Sequence, residues 1–167
     1  MSRPVALPPR AGGKVLVVRE LTPAPGLDQL GVQWLRSDRS LHVDFYNQWA
    51  VPPAEGVTDD LRRWLAASGL FAAVVGPDSE VAANFTLSGE LTAFMGDPAR
   101  RRARVALALV LIGGRPARLL VQRTVVAETP MQAATPTDVV TAIKRSLRAT
   151  LVQVENEMRR ATHAGRH

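Results

Sequence analysis

Between Asn84 and Ala127 the chain spells three strands in a row, and this run limits its fold more than any other feature. In NFTLSGELTAF (84–94), Phe85, Leu87, Leu91 and Ala93 alternate with Asn84, Thr86, Ser88, Glu90 and Thr92, giving one apolar and one polar face. MGDPARR turns the chain and ARVALALVLI (103–112) runs back. GGRP turns it again, with the paired glycines a tight hairpin needs, and ARLLVQRTVVA (117–127) returns. Three such runs joined by short turns predict an antiparallel meander.

A half-apolar sheet must be covered, and the C-terminal segment supplies the cover. Thr135 reads as an N-cap, with Pro136 at the first helical position and Asp138 at the third. Val140, Ile143, Leu147, Leu151, Val154 and Met158 then recur at spacings of three and four, which predicts a long amphipathic helix.

Upstream, KVLVVREL (14–21) suits a strand buried on both faces, broken by TPAPG. VQWLR (32–36) and LHVDFYNQW (41–49) flank SDRS and read as a hairpin. In its second arm Leu41, Val43 and Phe45 point one way, and His42, Asp44 and Tyr46 the other. After Pro52-Pro53, Thr58 caps a helix over 58–68 striped by Leu61, Trp64, Leu65 and Ala67 and ended by Gly69. LFAAVV (70–75) is a further strand, and strand–helix–strand suggests a crossover between parallel neighbours. The expectation is one α/β domain over 14–161, with a mixed, largely antiparallel sheet and two main helices. Residues 1–13 read as a flexible arm and 162–167 as a disordered tail.

Candidate chemistry is sparse. The absence of cysteine from the 167 residues excludes disulfides, thiolate metal sites and cysteine nucleophiles. His163 and His167 fall in the expected tail. His42 and Asp44 share a strand face; they offer the acid–base pair of a small hydrolase or half a metal site, against a plain solvated polar face. The glycine pairs match neither a Walker loop nor a dinucleotide fingerprint. No residue is therefore assigned as catalytic, cofactor-binding or metal-ligating.

Surface features carry more. The net charge is +6, and ARRRARV (99–105) is its one cluster. Arginines there suit nucleic-acid phosphates, anionic headgroups or a solvated turn. They lack the aromatic neighbours of a single-strand binder, so a basic nucleic-acid-binding domain is the rival reading rather than the first. Trp34, Leu35 and Arg36 at the hairpin tip, and Arg100, Arg101 and Arg102 in the cluster, are the candidate partner contacts.

The order of these segments resembles the ABC-type transport auxiliary lipoproteins, the PqiC-like paraquat-inducible lipoprotein family. Tyr46, Trp49, Ala50 and Pro53 stand where that family carries a Tyr…Arg-Trp-Ala…Pro motif, with Gln48 in place of arginine. Gly69-Leu70-Phe71 follows, and Phe85, Leu87, Gly89, Leu91 and Phe94 match its Tyr-x-Leu-x-Gly-x-Leu-x-x-Phe strand, with Phe85 for tyrosine. The resemblance spans about residues 14–158 and marks these positions as structural, with Trp49 expected in the core beneath the first helix. It implies a periplasmic lipoprotein anchored by a lipidated cysteine, more readily to the outer membrane. It also implies that the signal and lipobox have been trimmed from this cysteine-free chain, leaving the arm as former tether. Its implied partners are an MCE-domain protein, an ABC transporter complex and further copies in a ring, without cofactors, enzyme activity or nucleic acid.

Overall fold

The computed structural model describes residues 3–10 and 13–164, with side chains placed as far as Thr162. The expected meander forms as β6 (Phe85–Asp97), β7 (Arg102–Gly113) and β8 (Arg118–Pro130), all antiparallel. β6 is the spine of an eight-stranded sheet. One of its edges pairs with β7 along its length. The other is shared by three short parallel strands: β1 (Val15–Val18), β2 (Thr22–Pro23) and β3 (Gly31–Leu35). β3 continues outward to β4 (Leu41–Gln48) as the hairpin, and β1 to β5 (Ala73–Val75) in parallel. The molecule is thus a single α/β domain with a mixed, mostly antiparallel sheet.

Close packing in the meander explains Gly89. A Cβ there would sit 2.3 Å from the Ala108 carbonyl oxygen, so no side chain fits. The alternation in β6 is interrupted between Leu91 and Ala93, where the register with β7 shifts. The extra residue hands the helix-facing side from Leu91 to Phe94, opposite Val105.

Both helices pack on one face of the sheet. α1 spans Pro53–Ala66 and α2 spans Pro136–Ala164. Beneath them lies a core of Leu16, Leu61, Trp64, Leu87, Leu107, Leu111, Ile143 and Leu151. α2 starts as expected: the Asp138 N–H donates to Thr135 Oγ1, and that hydroxyl donates to the Asp138 carboxylate. Gly69, at φ +69°, follows α1 in the left-handed conformation its lack of a side chain allows.

Five expectations are corrected. α1 begins at Pro53, not Thr58, because proline is favoured where a helix has no N–H to bond. Thr58 lies buried inside the helix; its hydroxyl donates to the Ala54 carbonyl and accepts the Leu21 N–H. The strand expected over 14–21 ends at Val18, and Thr22-Pro23, read as a break, pairs with β6 instead. The strand expected over 70–75 begins at Ala73, with Leu70 and Phe71 buried ahead of it, and its parallel neighbour is β1 rather than the strand before the helix.

The N-terminal arm is the fourth correction. Residues 3–10 form no helix or strand, yet they are docked. Leu7 N–H donates to Ala67, and Arg10 N–H to Phe71. Arg3 bonds both oxygens of Glu155, each at 3.1 Å. Lastly, α2 runs through residues 162–164 of the expected tail. Met1-Ser2, residues 11–12 and 165–167 lie outside the described residues, as do the His163 side chain and His167.

Candidate functional site

The hairpin carries the most unusual surface. Val32 pairs with Asp44, but the next residue inward, Gly31, pairs with Gln48. Phe45, Tyr46 and Asn47 are therefore looped out of the ladder as a bulge. Asp44 holds it. Its carboxylate accepts the backbone N–H of Tyr46 at 2.8 Å and of Asn47 at 3.2 Å, and the Asn47 side-chain amide at 2.7 Å. The Asn47 amide and the Tyr46 N–H hold the Asp44 carboxyl below the usual carboxylate range.

The bulge breaks the alternation expected for this arm. Phe45 is 79% exposed and Tyr46 97%. Both were expected along a regular strand, and Tyr46 as a structural motif residue. Two of the chain's eight aromatic residues are thus held in solvent, side by side, on an edge strand.

The His42–Asp44 pair does not form a dyad. Arg36 Nη2 donates to His42 Nδ1 at 2.7 Å, and the imidazole lies 4.7 Å from the Trp34 ring. Asp44 is committed to the bulge. Among the described residues no three His, Asp or Glu side chains gather as metal ligands.

The structure separates the candidate contact residues into two groups. Trp34 is half-buried against the core with His42 and Arg36 beside it. Leu35 points to the other face and meets Arg100, Arg102, Arg104, Asp97 and Glu128 around a hollow of about 350 Å³. The cluster is largely neutralised from within. Arg102 lies 2.6 Å and Arg104 3.4 Å from Glu128, while Arg100 lies 2.9 Å from Asp97. Burial pushes the Asp97 carboxyl up, but hydrogen bonds from Arg100 outweigh it and hold the group low. Arg101 turns away and donates to the Gln132 carbonyl.

The motif residues Pro53, Phe71, Phe85, Leu87, Leu91 and Phe94 are buried. Trp49 is not. It is half-buried, with its ring 5.2 Å from Phe94, and it lines an open groove beneath the start of α1.

Comparison with known proteins agrees with this architecture. No curated protein matches the chain. A crystal structure from Xanthomonas campestris, described by the family DUF330, superposes with a TM-score of 0.81 at 19% identity, covering 100% of this chain and 99% of that one. A hypothetical protein from Chlamydia trachomatis superposes at 0.55 with 8% identity, over 87% and 98% of the two chains. A PelC dodecamer subunit from Paraburkholderia phytofirmans superposes at 0.52 with 13% identity, over 90% and 91%. These likenesses establish the fold. The model of the ABC-type transport auxiliary lipoprotein component matches residues 2–155, and the chain belongs to that family.

Proposed function

We propose that this protein is a non-enzymatic, periplasmic auxiliary lipoprotein of an MCE/ABC-type intermembrane lipid-transport system. It works through contacts with an MCE-domain protein and with copies of itself. The observation that carries this reading is the Asp44-clamped bulge, which holds Phe45 and Tyr46 out from an edge strand. Exposed aromatics on a preorganised backbone lose little entropy on docking, which makes them effective contact anchors. Leu35 with Arg100 and Arg102 forms a second contact, apolar beside charge, and Trp34 with Arg36 supports the hairpin between the two.

Family membership supports a partner in a transporter. The PelC structures of similar fold are dodecamers, which supports repeated subunits. In a lipid-anchored ring the many contacts act together, so each can be weak. The test combines light scattering with capture of the organism's MCE-domain protein. Tyr46→Ala should weaken both with the fold intact, while His42→Ala should not. A strictly monomeric protein that captures no MCE partner would remove the basis for this function.

A further inference from the structure

The strand path β4–β3–β6–β7–β8 ends on two strands that each pair on one side only. They stand at opposite edges of the sheet, four strand spacings or about 19 Å apart. The β4 edge carries the bulge with Phe45 and Tyr46. The β8 edge carries a cleft, because α2 packs alongside β8 and leaves two adjoining hollows of about 470 and 410 Å³ between them. Both hollows are lined by Arg123, Glu157 and Arg160, and Leu120, Val121 and Ala161 supply an apolar side.

The chemistry of the cleft selects its occupant. The Gln153 side-chain amide donates to the Val126 carbonyl at 3.0 Å, where a neighbouring strand would place its own N–H. A partner at this point therefore meets side chains rather than extending the ladder. Arg160 is paired with Glu157 at 3.0 Å. Arg123 has neither hydrogen bond nor ion pair among the described residues. It stands opposite Leu109, in the same register as the buried Val125 and Ala127, and stays exposed. The cleft thus holds two guanidinium groups against one carboxylate, beside an apolar wall. The bulge is its complement. Its two aromatic rings present faces that attract cations. The Asp44 carboxylate, which accepts the Tyr46 and Asn47 N–H groups, brings negative charge to the same place.

We infer that the aromatic bulge of one copy of this chain seats in the β8–α2 cleft of the next, with Arg123 against the aromatic rings. The inference rests on the self-contact proposed above and names the surface that receives it. Bulge and cleft lie on opposite edges, so the contact is heterologous and repeats head to tail, closing into a ring or running on as a filament. Two rings bury about 400 Å². That is half of the roughly 800 Å² one partner contributes to a standard interface, so a single contact is weak and gains strength by repetition.

The test is complementation between two variants, read by sedimentation velocity over a concentration series. Tyr46→Ala removes the knob and keeps the cleft. Asn156→Trp fills the cleft from an exposed position on α2 and keeps the knob. Each variant alone should self-associate about thirtyfold more weakly than the unaltered chain. Mixed in equal amounts, they should form a 1:1 dimer and nothing larger, because one intact knob then meets one intact cleft. Arg123→Glu should weaken self-association by about tenfold with an unchanged melting temperature. Dimers formed by either variant alone, a mixture that stays monomeric, or unchanged association in folded Asn156→Trp or Arg123→Glu would overturn the inference. Capture of the MCE-domain protein separates the two claims. Asn156→Trp, with its bulge intact, should still capture it. An unaltered chain that captures the MCE protein but never self-associates would overturn this inference and leave the transport reading standing; failure of both would remove both.

Discussion

At the residue scale, Trp49 and Trp64 show how one side chain serves two purposes. Trp64 is 2% exposed, packed between the helices and the sheet, and its N–H is bonded to Glu155. Trp64→Ala is expected to cost about 3–5 kcal/mol and to lower the melting temperature by roughly 10 °C. Trp49 is half-buried at a groove, so Trp49→Ala is expected to cost only about 1–2 kcal/mol. Calorimetric melting of the two variants checks the ranking. Glu155 adds a pH dependence to the same place. Burial pushes its carboxyl up, but bonds from Arg3, Trp64 and Arg159 outweigh that and hold it below its ordinary value. A lowered folded pKa stabilises above the unfolded value, about 4.3, and the contribution is lost as pH falls through the folded one. Glu155→Gln should therefore flatten the acid limb of the melting curve below about pH 4 and release the Arg3 arm, measurable as faster proteolysis before residue 13.

At the element scale, the meander and α2 were legible because each is a long periodic pattern with its own punctuation. Alternation marked β6, paired glycines marked the turn to β8, and Thr135 with Asp138 marked the start of α2. Two features were not legible, each for its own reason. Periodicity assumes that every residue advances the pattern, and a bulge inserts residues that do not. Asp44 followed three residues later by Asn47 was the available signal, since short polar side chains bond nearby backbone and compete with a ladder. The early start of α1 was hidden because a proline pair reads as a break, although one proline can open a helix. Gly89 tests the packing of the meander. Gly89→Ala would drive a methyl group against the Ala108 carbonyl, and a loss of about 1–3 kcal/mol is expected from denaturant unfolding.

At the scale of the whole molecule, β4 lies at a free edge of the sheet and the helices cover one face, leaving the aromatic bulge outward. The groove lies a few residues further along the same chain segment, between the helices and β6. Exposure of the bulge could be recognised only once the register was known. Alternation placed Phe45 and Tyr46 on a strand but could not say that the strand lets go of them.

Hydrogen exchange on β4 tests the central claim most directly. The amides of residues 45–47 lie outside the ladder with β3, so in the isolated protein Phe45 should exchange fast, while Tyr46 and Asn47, bonded to the Asp44 carboxylate, should exchange more slowly but faster than the paired residues of β4. Adding the MCE-domain protein, or raising the concentration until the protein self-associates, should slow exchange at 45–47 more than anywhere else on the surface. Tyr46→Ala should remove that protection. Protection appearing elsewhere while residues 45–47 exchange unchanged would contradict the account.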